Sequence, residues 1–467
     1  MMRNGAFQQL RQELFFGFRA VARDNTLCSA RVRRLLAQER WPERDLLELR
    51  RTLLQRTLAA AIRRIPLYRN IRLPAERRDV ERVLADEFPV VSKAELLKSP
   101  EAFYPRRARG APWRIPGRTS GTTGTPLTVY RSLDSVVWEN AFIRRHWHWS
   151  GYRAGMPRAT LRGDLVVPLE RSAPPFWFHN RYENQLLVSS RHLRGECYRA
   201  IADKLGEFAP HLLQAYPSSA YDLACWLREQ DRRLAIPYVY TGSEPLYPFQ
   251  RTLIEERLGG RVMDFYGMAE RVAFAAECEH GALHLVTDYS WVELVDEHGR
   301  PTDGEGYIVG TTFHNGAMPL VRYRLQDQTR LRRGACACGR SYPTIEAVTG
   351  KVEDALLGSD GRRVSPSVLT FAFKGLAHIQ RAQVAQTGPG DWEVRLVPTA
   401  GYGEEQKRRL LENVRKLVDP NIRVSVVEVQ DIPRTAAGKY QWVINEWTRR
   451  EPLAAASTFG QGGWLSP

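Results

Sequence analysis

Between residues 212 and 270 one pattern recurs, and it narrows the folds open to this chain more than any other feature. A short apolar run at 212–216 is followed by Pro217-Ser218-Ser219 and a helical run over 220–230. A second apolar run, 236–240, leads into Thr241-Gly242-Ser243-Glu244-Pro245 and a helical run through Leu253, Ile254 and Leu258, closed by Gly259-Gly260. A third, 261–266, leads into Gly267-Met268-Ala269-Glu270. Consecutive strand–loop–helix units build a parallel sheet through right-handed crossovers. The loops that leave the carboxyl ends of such strands line one crevice, where ligands bind. The three polar loops are therefore expected to face a common site.

The flanking segments differ in character. Residues 1–105 read as helical. Over Glu43–Arg64 the apolar residues Leu46, Leu49, Leu53, Leu54, Leu58 and Ile62 recur near the helical period, and Pro66 ends the run. Arg50, Arg51, Arg56 and Arg63 lie between them, which suits a solvated surface helix or peripheral contact with a membrane. Strand-like segments at 283–286, 291–295, 306–310 and 322–324 alternate with turns and make an antiparallel β portion. Beyond it, 380–386 and 392–397 are strand-like, 404–417 helical and 422–429 strand-like, the pattern of a small α+β domain. The expected organisation is a large α/β domain over 1–350, whose helical part is 1–105, a small mobile C-terminal domain over 351–450, and a disordered tail over 451–467.

Charge and cysteine usage bound the partners. The net charge of +16 admits nucleic acid, an anionic membrane or an anionic substrate. The basic residues are scattered, with no dense run, so a generally arginine-rich surface fits as well, and no nucleic-acid partner is expected. The apolar stretch Leu14-Phe15-Phe16-Gly17-Phe18 is cut short by Arg19 and Arg23, so no spanning segment and a cytoplasmic location are expected. Six cysteines in a chain this long do not suggest a disulfide framework. Cys278-x5-His284 and Cys336-x-Cys338 offer three sulfurs and one nitrogen, a ligand set for tetrahedral zinc in a closed structural site. His280 is an alternative to His284, and buried free thiols are the alternative to a metal.

Residues 118–130 read RTSGTTGTPLTVY. Thr119, Ser120, Thr122 and Thr123 crowd round Gly121 and Gly124. Such a loop can converge N–H and hydroxyl donors on a phosphate, or serve as a flexible linker. No GK[ST] follows, so it is not a Walker loop.

With this loop, YGMAE at 266–270, the Asp of YRLQD at 323–327 and the Lys of PRTAAGK at 433–439 in that order, the chain resembles the adenylate-forming (acyl-CoA synthetase) superfamily. The branch it resembles is that of phenylacetate–CoA ligase-type proteins and their capsule-biosynthesis, CapK-like, relatives. IPLYRN at 65–70, FPVVSKAEL at 88–96 and CACGR at 336–340 with the upstream Cys–His pair add to the likeness, which covers nearly the whole chain.

The resemblance implies an enzyme that joins a carboxylic acid to ATP, releases pyrophosphate, and passes the acyl group to a thiol, coenzyme A. It implies that the glycine–hydroxyl loop holds the β- and γ-phosphates. Ser243, Glu244 and Pro245 would lie beside adenine, with Tyr266 stacked on it, Gly267 adjoining and Met268 near the α-phosphate. Glu270 would coordinate Mg²⁺, Asp327 would hold the ribose hydroxyls, and Lys439 would bridge carboxylate and α-phosphate. Lys351, in GKVED, would sit at the hinge between the domains, and the cysteine site would carry zinc. Leu127 stands where the family usually has a phosphate-contacting Lys, a substitution familiar in the capsule-related branch; Gln326 stands where the family has Gly, and Lys351 where Arg is common. An alternative keeps adenylation but delivers the acyl group to an amine or hydroxyl on a sugar nucleotide or carrier protein, in polysaccharide or natural-product assembly. Another keeps the fold and nucleotide binding without turnover. The aromatic stretch holding Trp138, Trp147, Trp149, Phe176, Trp177 and Phe178 reads as an acyl-pocket border or as core. Oligomeric state is open, a homodimer among the options.

Overall fold

The structure is a computed structural model that describes residues 2–105, 114–118, 127–164, 166–168, 170–349, 356–359, 363–364, 369–373, 376, 378–434 and 440–447. The chain divides into two compact units, one built on Met1–Thr349 and one on Gly350–Thr435 with the chain after Tyr440.

A nine-stranded sheet carries the first unit. Its order is Thr344–Ile345, Leu283–Leu285, Phe274–Glu277, Arg261–Gly267, Tyr238–Gly242, Leu212–Ala215, Arg158–Arg162, Gln185–Ser189, Trp177–Asn180. The five strands from Arg261–Gly267 to Gln185–Ser189 run parallel, and both flanks are antiparallel. Helices Cys197–Phe208, Pro217–Glu229 and Pro248–Leu258 bury their apolar sides on this sheet, in a core that includes Leu161, Leu213, Ile201, Leu223, Val239 and Ile254. Burying a side chain of this size contributes about 1.5–3 kcal/mol, which is why such strands read as continuous apolar runs.

Several boundaries differ from the sequence reading, each for a local reason. Pro217-Ser218-Ser219 is not a loop but the first turn of helix Pro217–Glu229; proline suits that position because its missing N–H would be unpaired there anyway. The second strand lies at Tyr238–Gly242, beyond Pro237, which has no N–H for a ladder. Gly259 ends its helix as expected, at φ +85, where an added Cβ would meet the Leu234 carbonyl oxygen at 2.2 Å. After Arg261–Gly267 no helix follows: the chain turns back, and Gly267 pairs with Phe274. The helix Glu43–Arg64 packs Leu46, Leu54, Leu58 and Ala61 inward. Two of its arginines are taken up by protein, Arg50 over the Trp291 ring and Arg51 bonded to Glu48 and Glu81, while Arg56 and Arg63 are exposed. The aromatic stretch is largely core, with Trp147, Trp149 and Phe176 buried.

A four-stranded sheet, ordered Val91–Ser92, Tyr323–Thr329, Gly306–Thr312, Ser290–Val295, forms the antiparallel portion apart from its first, parallel, pair. The second unit has its own sheet, ordered Arg423–Glu428, Asp391–Pro398, Ile379–Gly388, Val443–Asn445, with the helix Glu404–Asn413. Trp392 is buried there, its indole N–H donating to the Leu357 carbonyl at 3.1 Å.

Candidate active site

The loops at the carboxyl ends of the parallel strands come together in the first unit. Strand Arg261–Gly267 delivers Tyr266, whose hydroxyl donates to Asp327 Oδ2 at 2.5 Å. Burial, then the Asp327 charge, pushes the Tyr266 phenol well above its ordinary range, so it stays a donor. Asp327 lies on strand Tyr323–Thr329, where the pairing register shifts between Tyr307 and Val309. Such a bulge re-aims side chains locally; Gln326 within it is exposed while Asp327 meets Tyr266. The same strand supplies Tyr323, whose hydroxyl reaches Glu270 Oε1 at 3.4 Å. One strand thus holds both ends of the Tyr266–Glu270 segment.

The turn carrying Met268 and Glu270 is fixed from beneath. Arg131 donates to the Ala269 carbonyl. Burial, with Arg271 close by, lowers the Arg131 guanidinium to about 10. Arg271, at φ +59, donates to the Ser135 carbonyl at 3.0 Å and pairs with Glu139 at 3.3 Å. Glu270 therefore sits buried in a turn and not on a helix.

Ser243 follows strand Tyr238–Gly242 in a left-handed conformation, φ +71, which costs a non-glycine residue on the order of 1 kcal/mol or more. Its hydroxyl accepts from Arg162 Nη2 at 2.6 Å. Arg162 also lies over the Tyr216 ring at 4.8 Å, and its buried Nε has no hydrogen-bond partner among the described residues. Sequence reasoning missed Arg162 because strand Arg158–Arg162 bears arginine at both ends and shows no clean apolar pattern. Glu244 accepts the Ser218 N–H at 3.1 Å, at the start of helix Pro217–Glu229. Leu127 is fully buried in an apolar cluster with Val129, Val272, Met318 and Tyr323. Thr119, Ser120, Gly121, Thr122, Thr123, Gly124, Lys351 and Lys439 lie outside the described residues.

A second constellation lies at the antiparallel edge of the large sheet. The ligand atoms of Cys278, His284, Cys336 and Cys338 all lie within 4.8 Å of one another. Cys278 and Cys336 sulfurs are 3.7 Å apart, and Cys338 Sγ is 3.3 Å from His284 Nε2. A tetrahedron with metal–sulfur bonds of about 2.3 Å has sulfur–sulfur edges of about 3.8 Å, so the donor set fits zinc. His284 Nδ1 bonds the Tyr342 carbonyl at 3.0 Å, which turns Nε2 toward the sulfurs. Backbone N–H groups of His280 and Arg340 donate to Cys278 and Cys338. His284, not His280, is the histidine whose ring nitrogen lies among the three sulfurs. No disulfide forms among the six cysteines.

Comparison with known proteins agrees with this architecture. Residues 356–446 match the family described as CapK C-terminal domain. Protein CapK of Staphylococcus aureus is 23% identical over 77% of this chain and 80% of its own length. Phenylacetate-coenzyme A ligase of Thermus thermophilus is 28% identical over 68% of this chain and 73% of its own. The solved structure of 2-hydroxyisobutyryl-CoA ligase in the postadenylation state superposes with a TM-score of 0.68, at 18% identity, covering 87% of this chain and 91% of that one. Fold, strand-end crevice and relatives together define an adenylate-forming, AMP-forming ligase. Within that class the chain is most like the phenylacetate–CoA ligases and CapK, to which its sequence is similar over two thirds or more of its length.

Proposed function

We propose that the protein activates a carboxylic acid with ATP, forming an acyl-adenylate and pyrophosphate, and transfers the acyl group to coenzyme A. The observation that carries this reading is the bracing of Tyr266 and Glu270 by a single strand through Asp327 and Tyr323. That bracing supports a nucleotide seat at the strand ends: Asp327 for ribose hydroxyls, Tyr266 against the base, and Ser243, Glu244 and Pro245 along its edge. Glu270 offers buried hard oxygen for Mg²⁺, which would neutralise phosphate charge. Lys439 is assigned to the carboxylate and α-phosphate, and Thr119 to Gly124 to the outer phosphates. A fixed cation at the reacting centre stabilises charge that develops only in the transition state. Cys278, His284, Cys336 and Cys338 would hold zinc as a staple, away from the reaction.

Arg162 is assigned to the acid. It is a cation at the strand ends, and among the described residues no carboxylate pairs with it within 4.0 Å. A second reading concerns only the acceptor: an amine or hydroxyl, on a sugar nucleotide or carrier protein, in place of CoA. Incubating the protein with ATP, an acid panel and CoA, then identifying products by mass spectrometry, tests both. Acyl-CoA supports the first reading; acyl-AMP that accumulates with CoA present supports the second; AMP from no acid rejects adenylation.

A further inference from the structure

The helix Met2–Arg23 has two unlike sides. Inward, Phe16 stacks on Phe178 with centroids 5.3 Å apart and joins a cluster with Val166, Val167 and Leu187. Gly17 lies so close to the Tyr182 ring that an added Cβ would meet it at 3.0 Å. Asn140 donates to the Arg23 carbonyl at 2.9 Å, and Asp24, just beyond, pairs with Arg144. The helix is thus docked, not adrift. Outward, Leu14, Phe15, Phe18 and Val21 are 65%, 58%, 75% and 73% exposed. Leu14, Phe18 and Val21 follow the i, i+4, i+7 spacing of one helical face, and Phe7 and Leu10 continue that spacing in the sequence. Tyr182, 64% exposed, flanks the face at Gly17, with exposed Arg181 next to it.

A contiguous apolar face of this kind marks an interaction surface. Its charge decides the occupant. The helix carries Arg3, Arg11, Arg19 and Arg23 against a single acid, Glu13, on a chain of net charge +16, though Arg19, over the inward Phe16 ring, and Arg23 are partly buried. Pairing with a second copy would bring two cationic helices together. An anionic bilayer surface complements both features: phenylalanine and leucine enter the acyl boundary, arginines meet phosphates, and tyrosine sits at headgroup level. No described helix is long and apolar enough to cross a membrane, so the contact is one of lying on the surface. The geometry points to helix Met2–Arg23 as a docking surface for anionic lipid membranes.

Flotation of the full chain with vesicles of phosphatidylcholine, alone or with about a third phosphatidylglycerol, tests this. The chain is expected to float with the anionic vesicles only, and less so as salt shortens the Debye length. F15S/F18S, changing two exposed side chains, is expected to lose at least about tenfold in partition with an unaltered melting temperature, while F15L/F18L floats like wild type. Binding to neither vesicle, or equal flotation of F15S/F18S, overturns the proposal. It is also overturned if F15S/F18S dissolves a dimer in sedimentation velocity while lipid has no effect, since a second copy then covers the face. Flotation that appears only after truncation beyond residue 450 assigns the face to the chain's own tail and overturns it equally.

Discussion

At the scale of single residues, the site is a set of side chains held by their neighbours before any ligand arrives. Asp327 is bonded by the Tyr266 hydroxyl, so removing either partner disturbs the other. D327A is expected to raise the KM for ATP about tenfold to a hundredfold, the range for losing hydrogen bonds to a charged group, with a smaller effect on kcat; steady-state kinetics at saturating acid measures it, and an unchanged KM would detach Asp327 from the nucleotide. E270A is expected to cost ~10²–10³ in kcat, the usual cost of removing one stabilising contact on developing charge. R162M is expected to raise the KM for the acid and leave that for ATP alone, with R162K partly restoring it; the reverse pattern would move Arg162 to the nucleotide side. Tyr266, Glu270 and Asp327 could be named as candidates from the sequence because motif order marks them. Arg162 was not named, because its candidacy rests on a guanidinium that pairs with no carboxylate among the described residues, which only geometry reveals.

Among elements, the cysteine site ties strands to helices. Arg340, two residues after Cys338, pairs with Glu39 at 3.4 Å and lies over the Trp149 ring at 4.0 Å. Glu39 caps helix Thr26–Gln38 and accepts the Trp149 indole N–H at 2.8 Å. Losing the metal should therefore loosen the N-terminal helices as well as the sheet edge. C338S is expected to lose about one equivalent of bound zinc by elemental analysis and to melt at lower temperature, with adenylation retained below that temperature. Undiminished zinc in C338S would contradict the ligand assignment. The ligand types and their spacing were readable in advance, with His284 named first and His280 as its alternative; the strand pairing that places His284 beside Cys338 is what separates the two. Likewise the repeated strand–loop–helix pattern announced the parallel core, whereas strands Arg158–Arg162, Trp177–Asn180 and Gln185–Ser189 went unread. Gln185–Ser189 is buried throughout, which erases the alternation that marks a strand in sequence.

For the whole molecule, burial of polar groups sets its pH limits. His146 is buried, bonds the Glu277 carbonyl at 2.9 Å, and is lowered to about 3, by burial first and by Arg145 and Arg340 beside it. The unfolded chain binds this proton below about 6.5 and the folded chain does not, so its contribution to stability falls as pH drops from about 6.5 toward 3. H146Q should flatten that part of a urea-midpoint profile; an identical slope would show that His146 is not its source. Asp264, raised to about 7 chiefly by burial, acts in the opposite sense: the folded state holds its proton more tightly, and the stability this gives at lower pH is lost as pH rises toward 7. The central claim is that this chain makes acyl-adenylates, and isotope exchange between pyrophosphate and ATP in the absence of CoA tests it most directly. The account predicts exchange that requires both a carboxylic acid and Mg²⁺ and that collapses in E270A and K439A; exchange with no acid across aryl, alkyl and dicarboxylic classes, or exchange indifferent to both substitutions, would contradict it.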